Sequence, residues 1–212
     1  MKARVRTPEE TYGPALDKAQ RAFVKITPGE AAARAGVSFE DLGDHSGRFV
    51  VQFLGGCHHI AWRQGTVVRA DDQIAVDIAT RIILLHYLLT ADGTRMADKW
   101  IAFRSLPGGL GYDGAFQRRS CLPLAARFGS DAEAFDVASR ALGGESLTYG
   151  DASFLFRVLP RVWMAVVVYF VDDEFPASAN VLYDASASHY LPTEDLAVLG
   201  GLLASRLLRA TG

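Results

Sequence analysis

The residues best equipped for chemistry fall in a few short stretches. Cys57-His58-His59 sets a thiol beside two imidazoles, the donor types that suit transition metals. On a β-strand successive side chains point to opposite faces, so Cys57, His59 and Ala61 share one face and His58, Ile60 and Trp62 the other. Adjacent histidines on a regular strand do not easily ligate one metal together. Cys57 with His59 can, given further donors from elsewhere; the plainer alternative is one imidazole against the core and one in solvent. His86 lies on the flank of a helical stripe, where a hydrogen-bonded boundary histidine is the ordinary role and a catalytic base or axial ligand the rarer one. If a transition metal or a tetrapyrrole binds, Cys57, His59 and His86 are the expected donors. No H-E-x-x-H or C-x-x-C pattern strengthens that expectation.

Asp172-Asp173-Glu174, followed by Phe175-Pro176, is a cluster able to hold a hard cation, or simply a solvated turn. Asp184 ends the next apolar segment; if the two segments pair as a hairpin, the trio sits at one end and Asp184 at the other. From Trp100 to Tyr112, aromatic residues lead into the glycines Gly108, Gly109 and Gly111. Glycines admit close backbone approach, and the helix start that follows offers free N–H groups to an anion. The stretch lacks the lysine of a P-loop and does not fit G-x-G-x-x-G, so a structural loop is the plainer reading. Arg104 within it needs a carboxylate or an anionic ligand: either a buried ion pair inside the sheet or a guanidinium facing a cleft. No Gly-x-Ser-x-Gly nucleophile elbow occurs.

Periodicity supplies the elements that must position these groups. Residues 9–24 read as a helix burying Ala15, Leu16, Ala19 and Phe23, and Glu30–Ala35 as a short helix closed by Gly36. The period then changes to two: Arg48–Leu54, Cys57–Trp62 and Thr66–Arg69 form a three-stranded antiparallel meander with turns at Gly55-Gly56 and Gln64-Gly65. Asp71-Asp72 precede a long helix through Leu89, with Ile74, Ile78, Ile82, Leu85 and Leu89 on one stripe and Asp77 spaced to pair with Arg81. Trp100–Leu106 reads as a strand, and Asp113–Phe128 (interrupted near Pro123) and Asp131–Leu142 as helices. Ser153–Val158, Val162–Val171 and Ala179–Asp184 follow as strands. The second is apolar throughout, which predicts a central strand covered on both sides. Thr193 caps a last helix to about Arg209, in which Gly200-Gly201 marks a close approach to another backbone. The fold class is α+β, a mainly antiparallel sheet packed by helices, with residues 1–40 a helical segment and 41–212 one compact unit.

Composition bounds the function classes. The 212 residues are 50% hydrophobic with a formal net charge of −2, which excludes intrinsic disorder and argues against non-specific nucleic-acid or polybasic membrane binding. The longest uncharged apolar run, Val162–Val171, falls far short of the roughly 20 residues a membrane helix needs. Cys57 and Cys121 are the two cysteines; the sequence leaves a disulfide between them open, but without a secretory signal they fit a reducing cytoplasm better.

These features together resemble the bacterial and archaeal family known as domain of unknown function 3786. The resemblance rests on Ile83-Leu84-Leu85-His86-Tyr87-Leu88, Trp100–Arg104 with Pro107-Gly108-Gly109, Tyr112 with Phe116, and Pro123-Leu124-Ala125. It continues in Gly150-Asp151, Asp172–Pro176, Leu182-Tyr183-Asp184 and Tyr190–Asp195. Cys57-His58-His59 lies outside it. The family brings no established activity. Some members look like fusions to a small cysteine-rich iron–sulfur module similar to those of corrinoid proteins, which implies a setting in anaerobic redox or one-carbon metabolism. These 212 residues hold neither that module nor a D-x-H-x-x-G corrinoid-ligand motif, Asp44-His45 being the nearest approach. The resemblance implies a cofactor- or partner-binding accessory protein, its partner an iron–sulfur or corrinoid protein. The binding residues expected are Trp100, Arg104, Gly108, Gly109, Tyr112, Asp151, Asp172, Asp173 and Glu174. The alternative is a small enzyme with an acid/base site of His86, Arg104, Asp151 and Asp172–Glu174.

Overall fold

The computed structural model describes residues 7–210, which fall into two compact units. Of the described residues, the first comprises 7–52 with Gly56–Gly93, the second Phe53–Gly55 with 94–210.

In the first unit, α1 (Pro8–Phe23) opens on a reciprocal cap: the Thr7 hydroxyl accepts the Glu10 N–H, and the Glu10 carboxylate accepts the Thr7 N–H. Its buried residues are Leu16, Ala19 and Phe23, while Ala15 is exposed. The short α2 (Pro28–Ala35) ends at Gly36, whose left-handed conformation closes the helix. Strands β1 (Ser38–Gly43), β2 (Ser46–Phe53), β3 (Gly56–Ala61) and β4 (Val67–Arg69) form a four-stranded antiparallel sheet in that order. The meander read from the sequence is therefore present, with an added strand. Five of the six residues of β1 are exposed, so it has no alternation to betray it, as suits a charged edge strand. The β2–β3 turn is Leu54-Gly55, both at positive φ, one residue earlier than the glycine pair predicts.

Helix α3 (Ile78–Thr90) starts later than its stripe suggests. Asp77 caps it, accepting the Thr80 N–H at 3.0 Å. The preceding residues fold back on β4 through the Val68–Ala75 bridge, which leaves Ile74 exposed. Phe23 of α1 packs on Phe49 of β2 at 5.7 Å between ring centres, and the Tyr87 hydroxyl of α3 donates to the Ala35 carbonyl.

The second unit is built on β5 (Trp100–Ala102), which gives way to a 3-10 turn at Phe103 rather than running to Leu106. Helix α4 (Asp113–Phe116), a π-helical turn (Gln117–Cys121) and α5 (Leu122–Phe128) then follow without a break. Pro123 supplies no N–H and its ring crowds the preceding turn. The helix answers by widening, with the Leu122 N–H reaching the Gln117 carbonyl, so the expected interruption is a change of pitch.

Asp131 caps α6 (Ala132–Ala141), and β6 (Glu145–Ser146), β7 (Ala152–Leu159), β8 (Val162–Tyr169) and β9 (Ser178–Asp184) complete an antiparallel sheet of order β5-β9-β8-β7-β6. β8 is its middle strand and is buried on both faces from Met164 to Val168, as its unbroken apolar run predicts. Helix α7 (Thr193–Arg209) is preceded by Pro192 as its cap residue; Thr193, expected to cap it, instead donates its hydroxyl to the Pro107 carbonyl at 2.6 Å. A Cβ on Gly200 would lie 2.5 Å from the Phe116 ring and from the Tyr183 hydroxyl, whereas one on Gly201 meets nothing. The close approach is thus to two side chains, not to a backbone, and it needs one glycine. The fold class is α+β. Among the described residues no helix is long and apolar enough to cross a membrane.

Candidate functional site

Pairing of Tyr169 with Ser178 and of Met164 with Tyr183 puts the Asp172–Glu174 trio and Asp184 at opposite ends of the β8–β9 ladder. At the first end the connection between the strands is closed on itself. The Asp172 carboxylate accepts the N–H groups of Glu174 at 2.9 Å and Phe175 at 2.7 Å, and its own N–H reaches the Phe175 carbonyl at 3.1 Å. Val171 N–H bonds the Gly129 carbonyl at 2.9 Å, fixing the connection to the end of α5. Asp151 accepts the Phe170 N–H at 2.7 Å just beyond the ladder, while the Tyr149 N–H bonds the Ser153 hydroxyl. Gly150, at φ +58°, passes so close to β8 that a Cβ would lie 2.6 Å from a Val167 methyl.

This framework holds a set of apolar side chains in water. Phe175 is 65% exposed and Val171 53%, and Tyr149 and Tyr169 are also exposed. Asp172 and Asp151 spend carboxylate oxygens on backbone N–H groups; Asp173 and Glu174 are exposed on the same connection. The arrangement offers fixed apolar contact area beside negative charge.

The other end of β9 is the reverse. Asp184 is 1% exposed. Its carboxylate accepts the Ala97, Lys99 and Ser186 N–H groups and the Ser186 hydroxyl. Burial alone pushes its pKa up, but the Ser186 hydroxyl and the three N–H groups outweigh it and hold the carboxyl below the usual carboxylate range. This acid ties the segment leading into β5, where Trp100 sits half-buried opposite it, to the turn after β9.

Arg104 is exposed on the 3-10 turn after β5 and makes no ion pair among the described residues, so the buried pair that one reading of the sequence asked for is not formed. Gly108 adopts φ +74° at the exposed tip of its loop. Gly109 is buried, and a Cβ there would lie 2.1 Å from the Phe103 carbonyl oxygen. Tyr112 is exposed. The glycines are thus accounted for by a tight turn and a close contact.

The expected metal donors are not brought together. As strand alternation requires, His58 is buried, with its ring Nδ1 3.1 Å from the Gly56 carbonyl, while Cys57 and His59 lie half-exposed on the other face. There His59 Nδ1 is 3.5 Å from an Arg48 guanidinium nitrogen, and Arg48 is paired with Glu40. His86 is half-buried on α3. Among the described residues no three His, Cys, Asp or Glu side chains form a group that could hold a metal ion. Of the acid/base set, His86 belongs to the first unit and Arg104, Asp151 and Asp172–Glu174 to the second. Both cysteines are free thiols; burial raises the pKa of Cys121 to about 11, so it is no ready nucleophile.

Phe175, Val171 and Tyr149 are the site residues that the sequence reading did not single out. The signal for Phe175 is an aromatic set between three acids and a proline, where no strand or helix can bury it.

Residues 27–206 match the family described as Domain of unknown function (DUF3786), and the chain belongs to that family. Neither a curated protein nor a solved structure matches it.

Proposed function

We propose that this protein is a partner-binding accessory protein and that its docking element is the β8–β9 connection with the adjoining Tyr149–Asp151 turn. The observation that carries this reading is Phe175, an aromatic side chain 65% exposed on a connection whose backbone is fixed by Asp172 and by the Gly129 carbonyl. Exposed aromatics held rigid lose little conformational entropy on binding and are the residue type that anchors interfaces. Of the setting that the family resemblance implies, this reading keeps the partner, an iron–sulfur or corrinoid protein of anaerobic metabolism, and assigns no cofactor to the chain itself.

The test is a phage-displayed library of random 12-residue peptides panned on the full chain, with enriched peptides remeasured against Phe175→Ala. The side chain is exposed, so the substitution should leave the melting temperature unchanged. Enriched peptides that lose about tenfold or more in affinity on Phe175→Ala support the reading. If every enriched peptide binds the variant as well as wild type, or none is enriched, the reading fails.

A further inference from the structure

Resting on that reading, we infer that the partner presents a Lys- or Arg-bearing segment around an apolar side chain, and that the four acids at this end of the sheet divide their work. Asp151 and Asp172 are positioning residues: each accepts backbone N–H groups that shape the connection, at 2.7 Å from Phe170 and at 2.9 and 2.7 Å from Glu174 and Phe175. Asp173 and Glu174 are exposed beside Phe175 and give their charge to the surface. A partner that buries Phe175 and Val171 must bring its own rim close to those two carboxylates. An acidic rim would be repelled, whereas cationic side chains match the two carboxylates in charge.

The peptides enriched in the panning above test this directly by their composition and by fluorescence anisotropy at low and moderate salt. Lys or Arg beside an aromatic or aliphatic residue is the expected consensus. Asp173→Asn with Glu174→Gln should weaken such a peptide about three- to tenfold at low salt and flatten its salt dependence. Asp172→Ala, which releases the turn, should weaken binding at every salt concentration, whereas Asp172→Asn, whose amide oxygen still accepts, should restore it. Peptides that depend on Phe175 but are neutral or acidic, or that bind the double variant as tightly as wild type, overturn the basic partner while leaving the docking reading standing. Loss of Phe175 dependence overturns both. Equal weakening by Asp172→Ala and Asp172→Asn overturns the positioning role.

Discussion

The two ends of β9 carry the same functional group in opposite circumstances. Asp184 lies out of water with four donors on its carboxylate, and its work is to tie the chain leading into β5 to the turn after β9. Asp172, Asp173 and Glu174 stand in water; one carboxylate shapes the turn and two remain on the surface. What separates the buried acid from the exposed ones here is the supply of backbone N–H groups. Where the fold directs enough of them at a carboxylate, burial is tolerated and the side chain is immobilised; where it does not, the charge stays hydrated and available.

Ranking acids by the donors the fold supplies sharpens this contrast. The largest effect should come from an acid with none: Val167→Asp sets a carboxylate into the twice-covered β8, where Val167 is 2% exposed, and should abolish folded protein in the soluble fraction of an expression trial. Next is an acid removed from its donors. Asp184→Ala strands three N–H groups and a hydroxyl and should cost about 2–4 kcal/mol in a denaturant melt.

The same site sets a pH dependence. Because the folded carboxyl of Asp184 is held below its ordinary pKa, its contribution is complete above the unfolded value of about 4 and fades as pH falls through the lower folded one. Acid melts of wild type and Asp184→Ala should therefore converge at the low end. The smallest effects belong to charges that the fold does not use: Asp173→Asn and Arg104→Gln should each shift stability by less than about 0.5 kcal/mol. A large loss in Arg104→Gln would show that its guanidinium holds the fold after all.

The sequence makes some of this legible and conceals the rest for definite reasons. The unbroken apolar run of β8 gives its central place, and the alternation through Cys57-His58-His59 gives the buried and half-exposed faces. β1 is hidden because an exposed edge strand has no hydrophobic period. The late start of α3 is hidden because Ile74 continues the helical spacing by chance while Asp77 supplies the cap. At the candidate site, the sequence marks the acidic trio and Asp151 but not that Asp151 is spent on the Phe170 N–H, which depends on the pairing of β7 with β8. Among the described residues Cys57, His59 and His86 do not form part of any three-donor group, which donor type alone could not reveal: donor type is local, convergence is not.

The β8–β9 connection is the proposed docking site of a partner. Amide hydrogen exchange with an enriched basic peptide, with and without saturating ligand, tests it most directly. Slowed exchange is expected in Val171–Ala177 and Tyr149–Asp151, with the amides bonded to Asp184 unchanged. Protection confined to the Arg104–Tyr112 segment, or absent from Val171–Ala177, would contradict it.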